Sequence, residues 1–150
     1  MANSFLSLQV HVVFSTKNRE RWITPQVECE VWAYLSGILK NQGGKALQIG
    51  GIEDHVHLLL AMPATLALSN LVKSIKGDSS KWISQTWPSM REFRWQDGYG
   101  AFTVGQSQIA DTIAYIKNQR QHHQRKSFEE EYKAFLKVHG IEAEDKYIFG

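Results

Sequence analysis

Apolar and polar positions alternate from Leu6 to Thr16. Leu8, Val10, Val12 and Phe14 fall on one face, and Gln9, His11, Val13 and Ser15 fall on the other. A period of two over this length predicts a first strand with one face in a core. Thr24-Pro25 reads as a helix start, a cap followed by proline at the first helical position. Val27, Val31, Leu35 and Ile38 then recur at helical spacing until Gly43-Gly44 ends the run. The strand pattern returns over 46–52 and over 55–62, the two joined by a tight turn at Glu53-Asp54, and Pro63 closes the second. Leu68, Leu71, Val72 and Ile75 mark one face of a second helix from about Leu66. Gly77-Asp78-Ser79-Ser80 is expected to break that helix and to cap a further turn over 81–86. Phe93 to Gln96 and Ala101 to Val104 read as short strands around Asp97-Gly98-Tyr99-Gly100, a hairpin signal. Ser107 should cap a long helix to about Gln124, and Ser127 a last one ending at Gly140.

The order βαββα, then two strands and more helix, predicts an α+β fold: a ferredoxin-like or RRM-like antiparallel sheet with helices on one side. At 150 residues the chain is expected to form a single domain, 1–150, large enough for its own core. Its 43% hydrophobic and 21% charged residues are in the proportion of a globular protein, and no apolar run reaches the roughly 18 residues of a membrane span. A lone Cys29 excludes an internal disulfide. Met1-Ala2-Asn3-Ser4 lacks the basic start of a secretory leader, so a cytoplasmic location is expected. The net charge of +2 permits a nucleic-acid partner without requiring one.

Candidate chemistry lies in Glu53-Asp54-His55-Val56-His57-Leu58-Leu59-Leu60. Residues two apart on a strand share a face, so His55 and His57 can aim their rings at one point while Val56, Leu58 and Leu60 enter the core. Neutral imidazole is the commonest protein metal ligand, and two on one strand supply much of a site. The same spacing also occurs in purely structural strands. In the predicted long helix, Ile109, Ile113 and Ile116 form the buried stripe, and Tyr115 falls on the polar side with Gln119 one turn on. A phenol beside a neutral oxygen donor suits a nucleophile next to a hard cation, although spacing alone favours a solvated helix face with one exposed tyrosine. His11 is a third histidine on the first strand, a ligand or a residue lining the sheet behind the pair. His122 is a rival to Gln119, and His123 lies farther round. Tyr34 reads as packing. Tyr99, Tyr132 and Tyr147 read as exposed, with no ligand one turn away.

Taken together, His55-Val56-His57 and Tyr115-Ile116-Lys117-Asn118-Gln119 resemble the HUH nucleases, in which two histidines flank a hydrophobic residue, in their single-tyrosine transposase branch from bacterial and archaeal insertion sequences. His11-Val12-Val13-Phe14-Ser15-Thr16-Lys17, Lys76-Gly77-Asp78-Ser79-Ser80, Trp95-Gln96-Asp97-Gly98-Tyr99-Gly100 and His122-His123 extend the resemblance over about 8–148. The resemblance implies a divalent cation, Mg²⁺ or Mn²⁺, held by His55, His57 and Gln119, with Tyr115 as the nucleophile. It implies cutting and rejoining of single-stranded DNA at hairpin-bearing element ends through a 5′-phosphotyrosine. One tyrosine per chain implies a homodimer, because excision holds two cleavages at once. Lys17, Arg19, Arg21, Lys73, Lys76 and Lys81 are candidates for phosphate contacts, each equally readable as ordinary surface charge. Trp22, Trp82, Trp87, Trp95 and Phe102 are aromatic enough to stack on bases but suit packing. Three alternatives stand beside this reading: a domesticated relative that processes genomic repeats, a metal hydrolase using His11, His55 and His57 on water, and an RRM-like binding module.

Overall fold

The computed structural model describes residues 3–144 and 148. Four strands, β1 (Gln9–Ser15), β2 (Lys45–Ile52), β3 (His55–Ala61) and β4 (Gly100–Val104), form one antiparallel sheet in the order β2-β3-β1-β4. The helices are α1 (Glu28–Asn41), α2 (Leu68–Thr86), α3 (Ile109–Lys117), α4 (Gln119–His122) and α5 (Phe128–Val138). This is the α+β fold expected from the pattern, with one change of layering. Helices cover both faces of the sheet, not one.

The cause lies in the alternation within β1 and β3. Val12, Phe14, Val56, Leu58 and Leu60 pack with Val31, Leu35 and Leu39 of α1 and Leu71, Val72, Ile75 and Ile83 of α2 in the main core. The opposite face carries Val13, which joins Phe102, Phe128, Tyr132 and Phe135 under α5 in a second cluster. His11, His55 and His57 lie on that second face, all three buried. Two β-branched or aromatic faces therefore need two covers, and the histidines end up between sheet and helix.

Two glycines set how close those covers come. A Cβ on Gly50 would lie 2.7 Å from the Ile116 carbonyl, so α3 rests directly on β2. A Cβ on Gly100 would lie 2.8 Å from the Tyr132 ring, so α5 rests directly on β4. Tyr132 is thereby buried, contrary to its reading as an exposed tyrosine, while Tyr147 falls outside the described residues.

Three local expectations change. α2 runs unbroken through Gly77-Asp78-Ser79-Ser80. Ser79 is fully buried, donates to the Ile75 carbonyl one turn back and accepts the Trp95 indole N–H at 2.9 Å, so its hydroxyl is used without leaving the helix. The expected 93–96 and 101–104 hairpin does not form. β4 pairs with β1 as far as Val13 opposite Gly100, and Trp95 then bridges Thr16 farther along the same edge. Both segments lie end to end beside β1 and cannot pair with each other. Finally, the long helix from Ser107 is interrupted at Asn118 (φ −99, ψ 22), which separates α3 from α4. Arg120 fixes the second piece through Glu53 at 2.7 Å and Glu28 at 3.2 Å.

Candidate active site

β3 aims both histidine rings at the underside of α3–α5. The Nδ1 of His55 meets Oδ1 of Asp54 at 2.7 Å, and the Nε2 of the same ring lies 2.9 Å from Oε1 of Gln119. The amide of Gln119 is oriented by donation from its Nε2 to the Tyr115 carbonyl at 3.3 Å. A neutral His55 has one N–H, and Asp54 takes it. Its Nε2 lone pair then faces an amide oxygen, two acceptors at contact distance. A second proton or a cation between them satisfies both.

His57 sits deeper. Its Nδ1 meets Nε2 of His11 at 2.8 Å, and its Nε2 lies 2.9 Å from Oε1 of Glu131, carried by α5. That oxygen is also 3.6 Å from Nε2 of His55. Burial pushes His57 down to about 4, although Glu131 pulls the other way, and burial followed by the neighbouring His57 pushes His11 down to about 3. Both rings are therefore neutral near pH 7 and can offer lone pairs. His11 stands behind His57, where it can hold whichever tautomer leaves Nε2 free.

The second oxygen of Glu131 accepts the Tyr115 hydroxyl and lies 3.2 Å from Nε2 of His123 and 3.3 Å from Nε2 of His122. Burial alone would raise the carboxyl, but hydrogen bonds from His123 and His57 hold it far below the usual carboxylate range. His123 moves oppositely: burial opposes its charge, and the bond to Glu131 outweighs this and raises it. Glu131 and His123 thus each favour the charged form of the other. Tyr115 is half-buried, not simply on a polar surface. Burial, and then the Glu131 charge, push its phenol well above the ordinary range. Its ring centroid lies 5.7 Å from that of His57 within the same chain.

These donors fit a divalent ion. His55, His57, His123 and Glu131 each bring one ligand atom to within 4.8 Å of the others, and Oε1 of Gln119 joins them beside His55. Three imidazoles with amide and carboxylate oxygens form a mixed N/O set able to hold a divalent ion.

A sequence model for the family described as IS200-like transposases matches residues 4–119. The chain belongs to that family. It is 26% identical over 117 residues to the ISDra2 transposase TnpA of Deinococcus radiodurans, across 75% of this chain and 84% of that one. It is 27% identical over 125 residues to the transposase for insertion sequence element IS200 of Salmonella typhimurium, across 79% and 81%. Two solved structures share the fold. A Deinococcus radiodurans chain assigned as a transposase superposes with TM-score 0.65 at 23% identity, over 79% of this chain and 96% of that one. A REP-associated tyrosine transposase bound to a REP hairpin superposes with TM-score 0.60 at 11% identity, over 82% and 74%. The activity of this IS200-like transposase is accordingly that of a DNA transposase.

Within the transposase, His55 and His57 of β3 converge with Tyr115 and Gln119, and the contact between His55 and Gln119 spans 64 positions of the chain. Of the other residues of the site, Asp54 and His123 stand in the quoted motifs without an assigned role, and Glu131 carries no such signal. His123 follows Gln119 by one helical turn, its Nε2 2.9 Å from Oε1 of Gln119. Glu131 reads as one of three first-turn acids, Glu129, Glu130 and Glu131. The signal that could have found it is its place in the apolar stripe of Phe128, Tyr132 and Phe135, at helical spacing. His123 and Glu131 also lie beyond the stretch matched to the family.

The basic candidates do not gather at this site. Lys17, Lys73 and Lys76 line a separate groove of about 670 Å³ with Arg94, Asp97 and Tyr99. Lys76 donates to the carbonyls of Gln96, at 2.9 Å, and Gly98, and burial lowers it to about 8. Arg19 pairs with Glu129 at 2.8 Å and Arg21 with Glu53 at 3.1 Å, while Lys81 is exposed elsewhere on α2. Trp95 and Phe102 are core residues, and Trp22, Trp82 and Trp87 pack against the core.

Proposed function

We propose that this transposase cuts and rejoins single-stranded DNA at hairpin-bearing ends, with Tyr115 as nucleophile and His55, His57 and Gln119 as ligands of Mg²⁺ or Mn²⁺. The observation that carries the reading is the convergence on Glu131: one carboxylate oxygen faces the histidine pair and the other holds the Tyr115 hydroxyl. A nucleophile and a cation site are thus a carboxylate's width apart in one chain.

The tyrosine oxygen attacks phosphorus, the P–O3′ bond breaks, and the products are a 5′-phosphotyrosine and a free 3′-OH. The link keeps the phosphodiester's energy, so a second 3′-OH can reverse the step without a nucleotide cofactor. A bound cation supplies Lewis-acid polarisation of the scissile phosphate. The residues do the rest. Asp54 fixes His55, His11 fixes His57, and Glu131 orients the phenol and stands where its proton must leave.

Lys17, Lys73 and Lys76, together with the more peripheral Arg19, Arg21 and Lys81, are the proposed phosphate contacts, and the lysine-lined groove gives three of them a common track. Two cleavages per excision favour a homodimer, each chain acting as one 1–150 domain, in the cytoplasm. Among the described residues no helix is long and apolar enough to cross a membrane. The use of water by three histidines is disfavoured by His11, whose Nε2 addresses the back of the His57 ring and not the point where the other Nε2 atoms meet.

The test is a denaturing gel of the protein with a labelled single-stranded hairpin from its element ends and Mg²⁺, beside Tyr115→Phe. A protease-sensitive shifted band that depends on Tyr115 is expected. Cleavage without an adduct in the Phe variant refutes the tyrosine reading.

A further inference from the structure

The family match stops at Gln119, yet the site does not. Resting on the cation reading above, we propose that Glu131, brought by α5 from outside the matched stretch, is a fourth protein ligand of the divalent ion, with Oε1 on the ion and Oε2 on the Tyr115 hydroxyl.

Three separations carry this. Nε2 of His55 is 2.9 Å from Oε1 of Gln119, Nε2 of His57 is 2.9 Å from Oε1 of Glu131, and Nε2 of His55 is 3.6 Å from the same Glu131 oxygen. Ligands about 2.1 Å from an octahedral ion lie about 3 Å from their adjacent neighbours, since the edge is √2 times the bond. Glu131 Oε1 stands at that edge distance from His57 and slightly beyond it from His55. Tyr115 and His123 occupy Oε2, so Oε1 is the oxygen that faces both Nε2 atoms of the histidine pair at once.

The surrounding structure holds it there. α5 begins with a capping box in which Ser127 accepts from the Glu130 backbone N–H at 3.2 Å, so the first turn is ordered. Phe128 and Tyr132 bury on either side of Glu131, and Gly100 lets Tyr132 approach β4. Glu131 is only 2% exposed, with Oε2 answered by His123 and the Tyr115 hydroxyl, so that Oε1 is the oxygen left facing the histidine pair. With Gln119 and both histidines it makes four protein ligands. A six-coordinate ion held by these four would have two positions left, which a phosphate oxygen and a water could take. The carboxylate also joins cation and nucleophile in one rigid unit. This distinguishes a ligand from a plug: a plug would compete with the ion, whereas a ligand strengthens its binding.

The experiment is calorimetric titration of the purified full-length chain with Mn²⁺ alone, comparing wild type, Glu131→Gln, His57→Ala and Tyr115→Phe, each checked by circular dichroism. Loss of a residue that merely orients a ligand costs 10–100-fold in affinity, so Glu131→Gln should weaken Mn²⁺ by at least about tenfold. Tyr115→Phe removes only a hydrogen bond to Oε2 and should weaken Mn²⁺ less than Glu131→Gln does. Unchanged or tighter binding in Glu131→Gln, with His57→Ala still impaired, overturns the inference and leaves the cation reading standing. No Mn²⁺ binding by wild type overturns both. If Glu131→Gln does not fold, wild-type protein labelled with ¹³C at the glutamate side-chain carboxyl decides instead. Diamagnetic Mg²⁺ should shift one buried glutamate carboxyl signal far more than the others, and no such shift overturns the proposal.

Discussion

The imidazole of His55 and the side-chain amide of Gln119 meet at 2.9 Å, although 64 positions separate them in the chain. Asp54 decides what that contact means, because it holds the opposite ring nitrogen at 2.7 Å. Replacing the carboxylate by an amide removes its charge and offers the ring either an oxygen or an N–H, so the tautomer is no longer fixed. Asp54→Asn is expected to weaken Mn²⁺ binding about 10–100-fold with little loss of folded content. Titration calorimetry with parallel circular dichroism measures both, and an unchanged affinity would show that the ring orients itself.

Tyr115 has a second consequence beyond the adduct. Its hydroxyl bonds to Glu131 and lies 3.3 Å from Nε2 of His122, so Tyr115→Phe removes a polar contact while keeping the ring in place. Strand cleavage should fall to background, and binding of an uncleaved hairpin should stay within about threefold of wild type. Fluorescence anisotropy separates the two, and a parallel fall in binding would assign Tyr115 to recognition.

Acid should unfold the protein earlier than its carboxylates alone dictate. His57 and His11 are lowered from 6.5 to about 4 and about 3, so below pH 6.5 the unfolded chain binds protons that the folded one refuses. Stability is complete above 6.5 and is lost as pH falls from 6.5 towards 4, by at most about 1.4 kcal/mol per pH unit for each group. His123, raised by Glu131, works oppositely and only above this window. Urea midpoints at pH 7 and pH 5 provide the reading. A flat profile between them would mean that neither ring is held neutral.

Gly50 sets the height of α3. Adding one methyl places a carbon 2.7 Å from the Ile116 carbonyl, a backbone atom that cannot swing aside. Gly50→Ala should cost about 1–3 kcal/mol of stability, in the range of overpacked interiors. It should also reduce cleavage by more than that loss of folded protein explains, because Tyr115 and Gln119 move with the helix. Thermal melts paired with single-turnover cleavage distinguish displacement from simple unfolding.

Lys17 and Lys73 share the groove beside α2. Lys73→Ala should leave folding intact and lower the slope of log affinity against log salt by about one, the change expected when a single phosphate is no longer neutralised. Lys76→Ala differs in kind, since Lys76 also secures the carbonyls of Gln96 and Gly98. A lowered melting temperature should accompany its weaker binding. An unaltered salt slope in Lys73→Ala would remove the groove from the DNA path.

Local periodicity determined much of this transposase. The alternation in β1 and β3, the stripes of α1 and α2, and the Ser127 cap of α5 all depend on neighbours a few positions apart, which is where sequence patterns carry their information. The histidine pair and the Tyr115 and Gln119 pair were legible for the same reason, each being a spacing of a few residues along the chain.

What only the tertiary structure decided is how those elements meet. Val13 and the histidines needed a cover of their own, which put helices on both faces of the sheet. The segment containing Trp95 chose the edge of β1 over a hairpin with β4, because a bridge to Thr16 and burial against Phe14 were available there. Ser79 stayed in α2 because Trp95 was close enough to donate to it. Asn118 broke a helix that periodicity joins, and Arg120 ties the second piece separately to Glu53 and Glu28. Glu131 reached the site only because Gly100 allows α5 down onto the sheet. Each of these rests on contacts between residues far apart in the chain. Such contacts are chosen by competition among burial, hydrogen bonding and close approach, and none of them leaves a period in the sequence.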